Sequence, residues 1–219
     1  MSESTADCSV FKARFTTREA AEAYRDRFKT GKRRRKDDIE RRALRELLSG
    51  IGQLDTGLDL PSGTGRLSPV IGEVCRRVLQ ADGSLQMLTV AREDHPDLSG
   101  GYVQTDAEHI ALADRGVDLV FCHRFLHHIH DRAARQRIFA ELARITRRYV
   151  VASYYAPGHR DMWRWRLSRL LGRSEHRDRP ATLQQFHDEL AAAGLRLART
   201  QVVRRFPSLG VFCLFERAS

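Results

Sequence analysis

The segment Gly57-Leu58-Asp59-Leu60-Pro61-Ser62-Gly63-Thr64-Gly65-Arg66 constrains the fold more than any other part of the chain. Leu58 to Leu60 reads as the end of a buried strand, and Pro61 stops it because proline cannot donate a ladder hydrogen bond. Gly63 and Gly65 free the backbone for a tight turn and let a ligand approach the main chain closely. Ser68 is a candidate N-cap, and Pro69 suits the first helical position after it. A strand, a glycine turn and a helix N-terminus in that order can cradle a nucleotide-like ligand. Many α/β proteins turn on glycines, so the ligand is defined only by what the other strand ends supply.

Beyond the turn, strands and helices alternate. Val70, Ile71, Val74, Cys75 and Val78 mark one helical face, and Val78–Ala81 is a short strand closed by Asp82-Gly83. A helix over Ser84–Glu93 precedes a strand over Tyr102–Thr105 that ends at Asp106. Val117–Cys122 is apolar enough to be buried on both faces of a parallel sheet. A helix over Arg132–Thr146 and a strand over Tyr149–Ser153 follow. The pattern predicts a Rossmann-like α/β fold, a doubly wound and mostly parallel sheet with right-handed crossovers. The chain then changes habit. Thr182 caps a helix over Leu183–Ala193, and Leu195–Phe206 and Val211–Phe215 are joined by Pro207–Gly210, too short for a crossover helix. These last strands are expected to form a C-terminal antiparallel hairpin.

Upstream, Ala20, Ala21, Tyr24 and Phe28 recur at helical spacing behind a Thr16 or Thr17 cap, and Gly31 breaks that helix. Lys32-Arg33-Arg34-Arg35-Lys36 is read first as a solvated linker and second as an anion-contacting edge. A second helix is expected to start at Asp37 or Asp38, with Ile39, Ala43, Leu44, Leu47 and Leu48 as its apolar positions. The expected organisation is an N-terminal tail and helical cap over residues 1–50 and a main domain over 51–219, with a lid-like insertion at 157–181.

With 219 residues the chain suits one domain with a sizeable core. Its formal charge of +10 invites nucleic acid or an anionic membrane as partner. Of its 38 cations only Lys12, Lys29, Lys32 and Lys36 are lysines, and an arginine bias of that size also follows from base composition, so nucleic acid is not favoured. No apolar run approaches the ~20 residues of a membrane helix. Met1–Asp7 is polar and acidic, so export is not expected and the cytoplasm is the expected location. Cys8, Cys75, Cys122 and Cys213 are scattered without a Cys-x-x-Cys, which suggests neither a zinc site nor a redox pair.

Three strand ends carry the chemistry. The glycine turn is the first. Asp82 is the second, placed to accept the two hydroxyls of a ribose, and Asp106 with Ala107 is the third, where a carboxylate can receive a purine amine. Each alone is explained by a turn or a cap; in order and correctly spaced, they favour a nucleoside ligand. At this point the chain resembles the class I S-adenosylmethionine-dependent methyltransferases. The resemblance runs from about Leu54 to Glu216. Leu58–Gly65 resembles the first motif of that family, and Asp82–Leu88 resembles its ribose-binding segment. Thr105-Asp106-Ala107 resembles the adenine-contacting strand end, and Asp118–Ile129, with its Leu126-His127-His128, resembles the fourth motif. Pro61 departs from the pattern, standing where glycine is common.

The resemblance implies an S-adenosyl-L-methionine-dependent methyltransferase. The residues it implicates in cofactor binding are Asp59, Pro61, Ser62, Gly63, Gly65, Asp82, Gly83, Asp106, Ala107, Cys122 and His123. His127 is the candidate base among His123, His127, His128 and His130, and Tyr154 and Tyr155 are candidates for the acceptor pocket. A metal held by His127, His130 and Asp131 is not favoured, since no second cluster accompanies it. A helix over Met162–Arg173 would leave Trp165 among arginines, which suggests a lipid-like, phosphorylated or otherwise acidic small-molecule substrate, and peripheral contact with an anionic membrane. The rivals are an RNA methyltransferase, a methyltransferase-like protein that binds without catalysis, and an NAD(P)-dependent oxidoreductase. Against the last, Ser68 replaces the third glycine of Gly-x-Gly-x-x-Gly.

Overall fold

The computed structural model describes residues 15–98, 100–129, 131–156, 181–205 and 209–218. In chain order these form α1 (Arg18–Asp26), α2 (Gly31–Leu48), β1 (Leu54–Asp59), α3 (Ser68–Gly72), β2 (Cys75–Asp82), α4 (Leu85–Asp94), β3 (Tyr102–Gln104), β4 (Val117–Cys122), α5 (Arg132–Ile145), β5 (Thr146–Tyr155), α6 (Leu183–Ala192), β6 (Leu195–Arg204) and β7 (Gly210–Arg217). A 3-10 turn, Leu126–His128, follows β4. The strands make one seven-stranded sheet in the order β3-β2-β1-β4-β5-β7-β6. Pairings among the first five are parallel, and β7 pairs antiparallel with both β5 and β6, as the short connection between β6 and β7 requires.

The sheet is a middle layer because its strands are apolar on both faces. In β4, Val120 and Cys122 face one core while Leu119 and Phe121 face the other. The first core is closed by Ile138, Phe139 and Leu142 of α5 and by Phe186 and Leu190 of α6. The second is closed by Leu44, Leu47 and Leu48 of α2 and by Val70 and Ile71 of α3. A small third cluster joins Ala21 of α1 to Met87 and Val90 of α4, with Phe15 beside them. Among the described residues, no helix is long and apolar enough to cross a membrane.

Three local expectations are corrected. The apolar series from Val70 to Val78 is not one helix: α3 ends at Gly72 and β2 begins at Cys75. Gly57 on β1 lets this segment pack closely, since Ile71 and Cys75 lie 2.7 and 2.8 Å from where a Cβ would stand. Ser68 is not the N-cap; Leu67 holds that position, and the Ser68 hydroxyl donates instead to Asp59 at 2.6 Å. The basic run is not a linker, because α2 begins at Gly31, six or seven residues before the expected start. Pairs at i,i+4, Lys36 with Glu40 and Asp37 with Arg41, support that longer helix. The expected helix at 162–173 and nearly all of the insertion lie outside the described residues.

Candidate active site

The carboxyl ends of β1 to β4 open on one cavity of about 460 Å³. The first two strand ends are tied to each other by the backbone. Ser62 N–H donates to the Ala81 carbonyl at 2.8 Å, and Gly63 N–H donates to Asp82 Oδ2 at 2.9 Å. The other Asp82 oxygen accepts from Ser84 N–H at 2.9 Å. Each oxygen keeps lone-pair capacity for a ligand. Burial raises the Asp82 pKa, opposed by the amide bonds. Asp59 is fully buried, and burial pushes it up to about 7 against the Ser68 hydrogen bond and the Arg66 charge. Gly63 has φ +55°, and a Cβ there would stand 3.8 Å from the Tyr24 ring, inside the cleft between loop and helix.

A second wall comes from the N-terminal helices. Thr17 caps α1 by accepting from Ala20 N–H, and bidentate Arg18–Glu93 bonds of 3.0 and 2.8 Å hold α1 to α4. Phe15, Tyr24 and Phe28 then line the cavity as edge-to-face neighbours, 5.3 and 5.5 Å apart. The Arg66 guanidinium lies over Phe28 at 4.5 Å.

The third wall is cationic. Arg27, Arg33, Lys36, Arg66 and Arg124 all line the cavity. Arg66 is matched by Asp37 and by Glu40, the latter at 2.7 Å. Glu40 has no exposed surface; it also accepts from Tyr155 Oη at 3.0 Å and lies 3.6 Å from Lys36 Nζ. Burial alone would raise Glu40, but the His123 contact and the Arg66 and Lys36 charges outweigh it and hold the carboxyl below its usual range. Burial lowers the Lys36 pKa, and the nearby Arg124 charge adds to that. Arg27, Arg33 and Arg124 have no carboxylate partner among the described residues. His123 stacks on Phe121 at 5.6 Å, 3.5 Å from Glu40 Oε2, and neither of its ring nitrogens has a hydrogen-bond partner. Burial pushes His123 down to about 4, so its ring is neutral at pH 7.

Residues 58–151 match the family model described as "Methyltransferase domain". The structure is similar to magnesium protoporphyrin IX methyltransferase from Synechocystis PCC 6803 with bound S-adenosylhomocysteine, with TM-score 0.72 and 17% identity over 97% of this chain and 100% of that one. Residues 58–151 are thus similar to a methyltransferase domain, and the chain shares the fold of a solved methyltransferase. The N-methyltransferase NodS from Bradyrhizobium japonicum is also similar, with TM-score 0.64 and 13% identity over 84% of this chain and 97% of that one. A malonyl-[acyl-carrier protein] O-methyltransferase from Marinomonas sp. is 41% identical over 91 residues, which is 38% of this chain and 33% of that protein. The chain thus spans about a third of the length of that curated relative.

The similar Synechocystis structure holds S-adenosylhomocysteine, and the cavity here has features that fit such a ligand. Asp82 faces the cavity with spare acceptor capacity, the Gly63 cradle would be filled by any side chain, and Asp106 and Ala107 line the same space beyond Asp82. Among the expected cofactor residues, Asp59, Pro61, Ser62, Gly63, Asp82, Gly83, Asp106, Ala107 and His123 line the cavity. Gly65 and Cys122 do not. Gly65, at φ +73°, makes room for Gln80 and His95, which lie 2.3 and 2.8 Å from where its Cβ would be. Cys122 points to the opposite face of the sheet, into the α5–α6 core.

The acceptor-side expectations also need correction. His127 lies outside the cavity lining, its ring 5.3 Å from Tyr155 and 4.0 Å from His128, and burial pushes it down to about 2. Its neighbour His128 lines the cavity instead. Tyr154 belongs to the far core, where its hydroxyl donates to the Ala181 carbonyl at 3.0 Å. Tyr155 is spent on Glu40. Trp165 and His130 lie outside the described residues. The sequence reading missed Phe15, Arg27, Arg66 and Arg124 as lining residues; it had singled out Arg33 and Lys36 only through the anion-edge reading of the basic run.

Proposed function

We propose that the protein transfers the methyl group of S-adenosylmethionine to a small-molecule or lipid-like acceptor that is acidic. The observation that supports this best is the division of a single cavity: acids and glycines on the strand ends, and cations in excess of carboxylates across from them. In this reading Asp82 accepts the ribose hydroxyls, Asp106 and Ala107 take the adenine, and the Asp59–Ser68 pair with the Gly63 amide region takes the amino-acid end. When bound, the cofactor supplies a methyl group already made electrophilic by a sulfonium. The chain then has to align the acceptor and exclude water, which Phe15, Tyr24 and Phe28 do from the α1 side. The curated relative's name, an O-methyltransferase, is consistent with an oxygen acceptor.

Calorimetric titration with S-adenosylhomocysteine tests the reading. One site per chain, with no comparable binding of NADH, is expected; absence of a site overturns it. The exposed cations Lys32, Arg34 and Arg35 flank Arg33 and Lys36 along α2 and favour a second reading, in which the acceptor is met at an anionic membrane. Cosedimentation with anionic liposomes, compared with a Trp165→Ala variant, tests that; no binding by either removes it.

A further inference from the structure

We propose that the methyl acceptor is a carboxylate, held by Arg33, Lys36 and Arg124 and methylated directly on oxygen without a protein base. This inference rests on the methyl-transfer reading above and specifies its acceptor.

The first argument is charge. Arg66 is already matched by Asp37 and Glu40. Arg27, Arg33 and Arg124 line the same cavity with no carboxylate of their own among the described residues. Lys36 only half shares Glu40, at 3.6 Å. The amino-acid end of the cofactor brings one carboxylate, which cannot match three guanidinium groups that have no carboxylate among the described residues and an ammonium 3.6 Å from Glu40. A second anion completes the site. An amine acceptor, cationic before reaction, would be repelled by the same groups.

The second argument is backbone geometry. Arg124 sits at φ +53°, a conformation that costs a residue with a Cβ about 1–2 kcal/mol. Its N–H is anchored to Ser153 Oγ at 2.8 Å, so this strained turn fixes where the side chain leaves the β4 end. His123, buried beside it, turns Nε2 toward Glu40 at 3.5 Å and leaves Nδ1 without a hydrogen-bond partner at the cavity wall, which marks a place for a polar ligand atom.

The third argument is that a carboxylate acceptor makes no demand for a protein base. Asp59 is occupied by Ser68, and Asp82 by two backbone amides. Neutral His123 is a poor proton acceptor, and His127 is outside the cavity. A carboxylate needs no base, since it is ionised at neutral pH. One of its oxygen lone pairs forms the new C–O bond to the methyl carbon as the S–CH3 bond breaks. Sulfur keeps the electron pair and becomes a thioether, the acceptor becomes a neutral methyl ester, and no proton moves. An alcohol acceptor would instead need His128, the other histidine lining the cavity, to take its proton.

The test uses the full chain saturated with S-adenosylhomocysteine at near-physiological salt. Calorimetry compares 4-phenylbutyrate with 4-phenylbutanamide and 4-phenylbutanol, which share the apolar body and differ in the head group. The acid is expected to bind about tenfold tighter than either, and Arg33→Gln and Arg124→Gly each to remove most of that preference. Equal binding of the three probes, or binding of none, overturns the inference. If the unaltered chain also fails to take S-adenosylhomocysteine, the function proposed above falls; if it takes it, only the carboxylate inference falls. With radiolabelled methyl donor and 4-phenylbutyrate, the transferred label should be released by mild alkali as methanol. Alkali-stable label, or transfer to the alcohol in preference to the acid, also overturns it.

Discussion

The two sides of the cavity are built by opposite means. On the strand-end side, Asp59 and Asp82 sit at the ends of β1 and β2 and are held by hydroxyl or amide donors from the adjoining turns: Ser68, Gly63 and Ser84. On the other side, Arg27, Arg33 and Lys36 come from the N-terminal helical segment and Arg124 from the end of β4, and the three arginines have no carboxylate partner among the described residues. The first side is satisfied within the chain; the second carries cations in excess of the carboxylates that face them among the described residues. In the proposed function the first side would take the constant ligand and the second the selective one.

Glu40 belongs to both sides, so its loss should break the comparison most severely. Glu40→Ala leaves Tyr155 buried without its acceptor and Arg66 with Asp37 alone, and should cost about 3–5 kcal/mol of stability in urea unfolding. Glu40→Gln, which keeps shape and one acceptor oxygen, should cost distinctly less. Asp82→Ala strikes the strand-end half alone. It removes the acceptor facing the cavity and frees the Gly63 amide, and it should weaken S-adenosylhomocysteine about a hundredfold by calorimetry. An effect under threefold would mean that Asp82 only shapes the turn.

Asp59→Asn tests the strand-end half through pH. The Asp59 carboxyl, between Ser68, Arg66 and Asp82, has its pKa raised from 3.8 to about 7, so the folded chain prefers it neutral. Stability tied to that preference is whole below about pH 4, falls as pH rises, and is lost by about pH 7. The asparagine variant does not titrate there, so its melting temperature should pull ahead of the unaltered chain's across that window and run parallel above it. A gap constant from pH 4 to 8 would show that Asp59 ionises freely. The smallest effect belongs to Arg124→Gly, where glycine relieves φ +53°: thermal stability should hold or rise by about 1 kcal/mol, even as the cationic half loses a charge. A marked fall in stability would mean that the arginine has a structural partner.

The same contrast explains what could be read in the chain. The glycine turn, Asp82, Asp106 and the terminal hairpin are local signals, each a few residues at a strand end, and they point to the sheet that is observed and to residues that line one cavity. The cationic side depends on contacts far apart in sequence; Tyr155 meets Glu40 across 115 positions. Nothing in the spacing of the basic run told that it would be helical, or that only Arg33 and Lys36 of its five residues would reach the cavity. Two errors had a readable remedy. Tyr154 and Tyr155 are neighbours on a strand, so period-2 alternation sends them to opposite faces. The same alternation separates Cys122 from the cavity residues Phe121 and His123. Gly65 had no such remedy, because a glycine that admits Gln80 and one that admits a ligand look alike until the side chains are placed.

Glu40 also carries a thermodynamic consequence. Arg66 on the glycine loop, Lys36 on α2 and Tyr155 at the end of β5 share this one carboxylate, so any ligand that draws Arg66 or Lys36 toward itself changes the share left for the others. In the proposed function this shared carboxylate would link the two ligands, and linkage is reciprocal: whatever factor the cofactor imposes on acceptor affinity, the acceptor imposes on the cofactor.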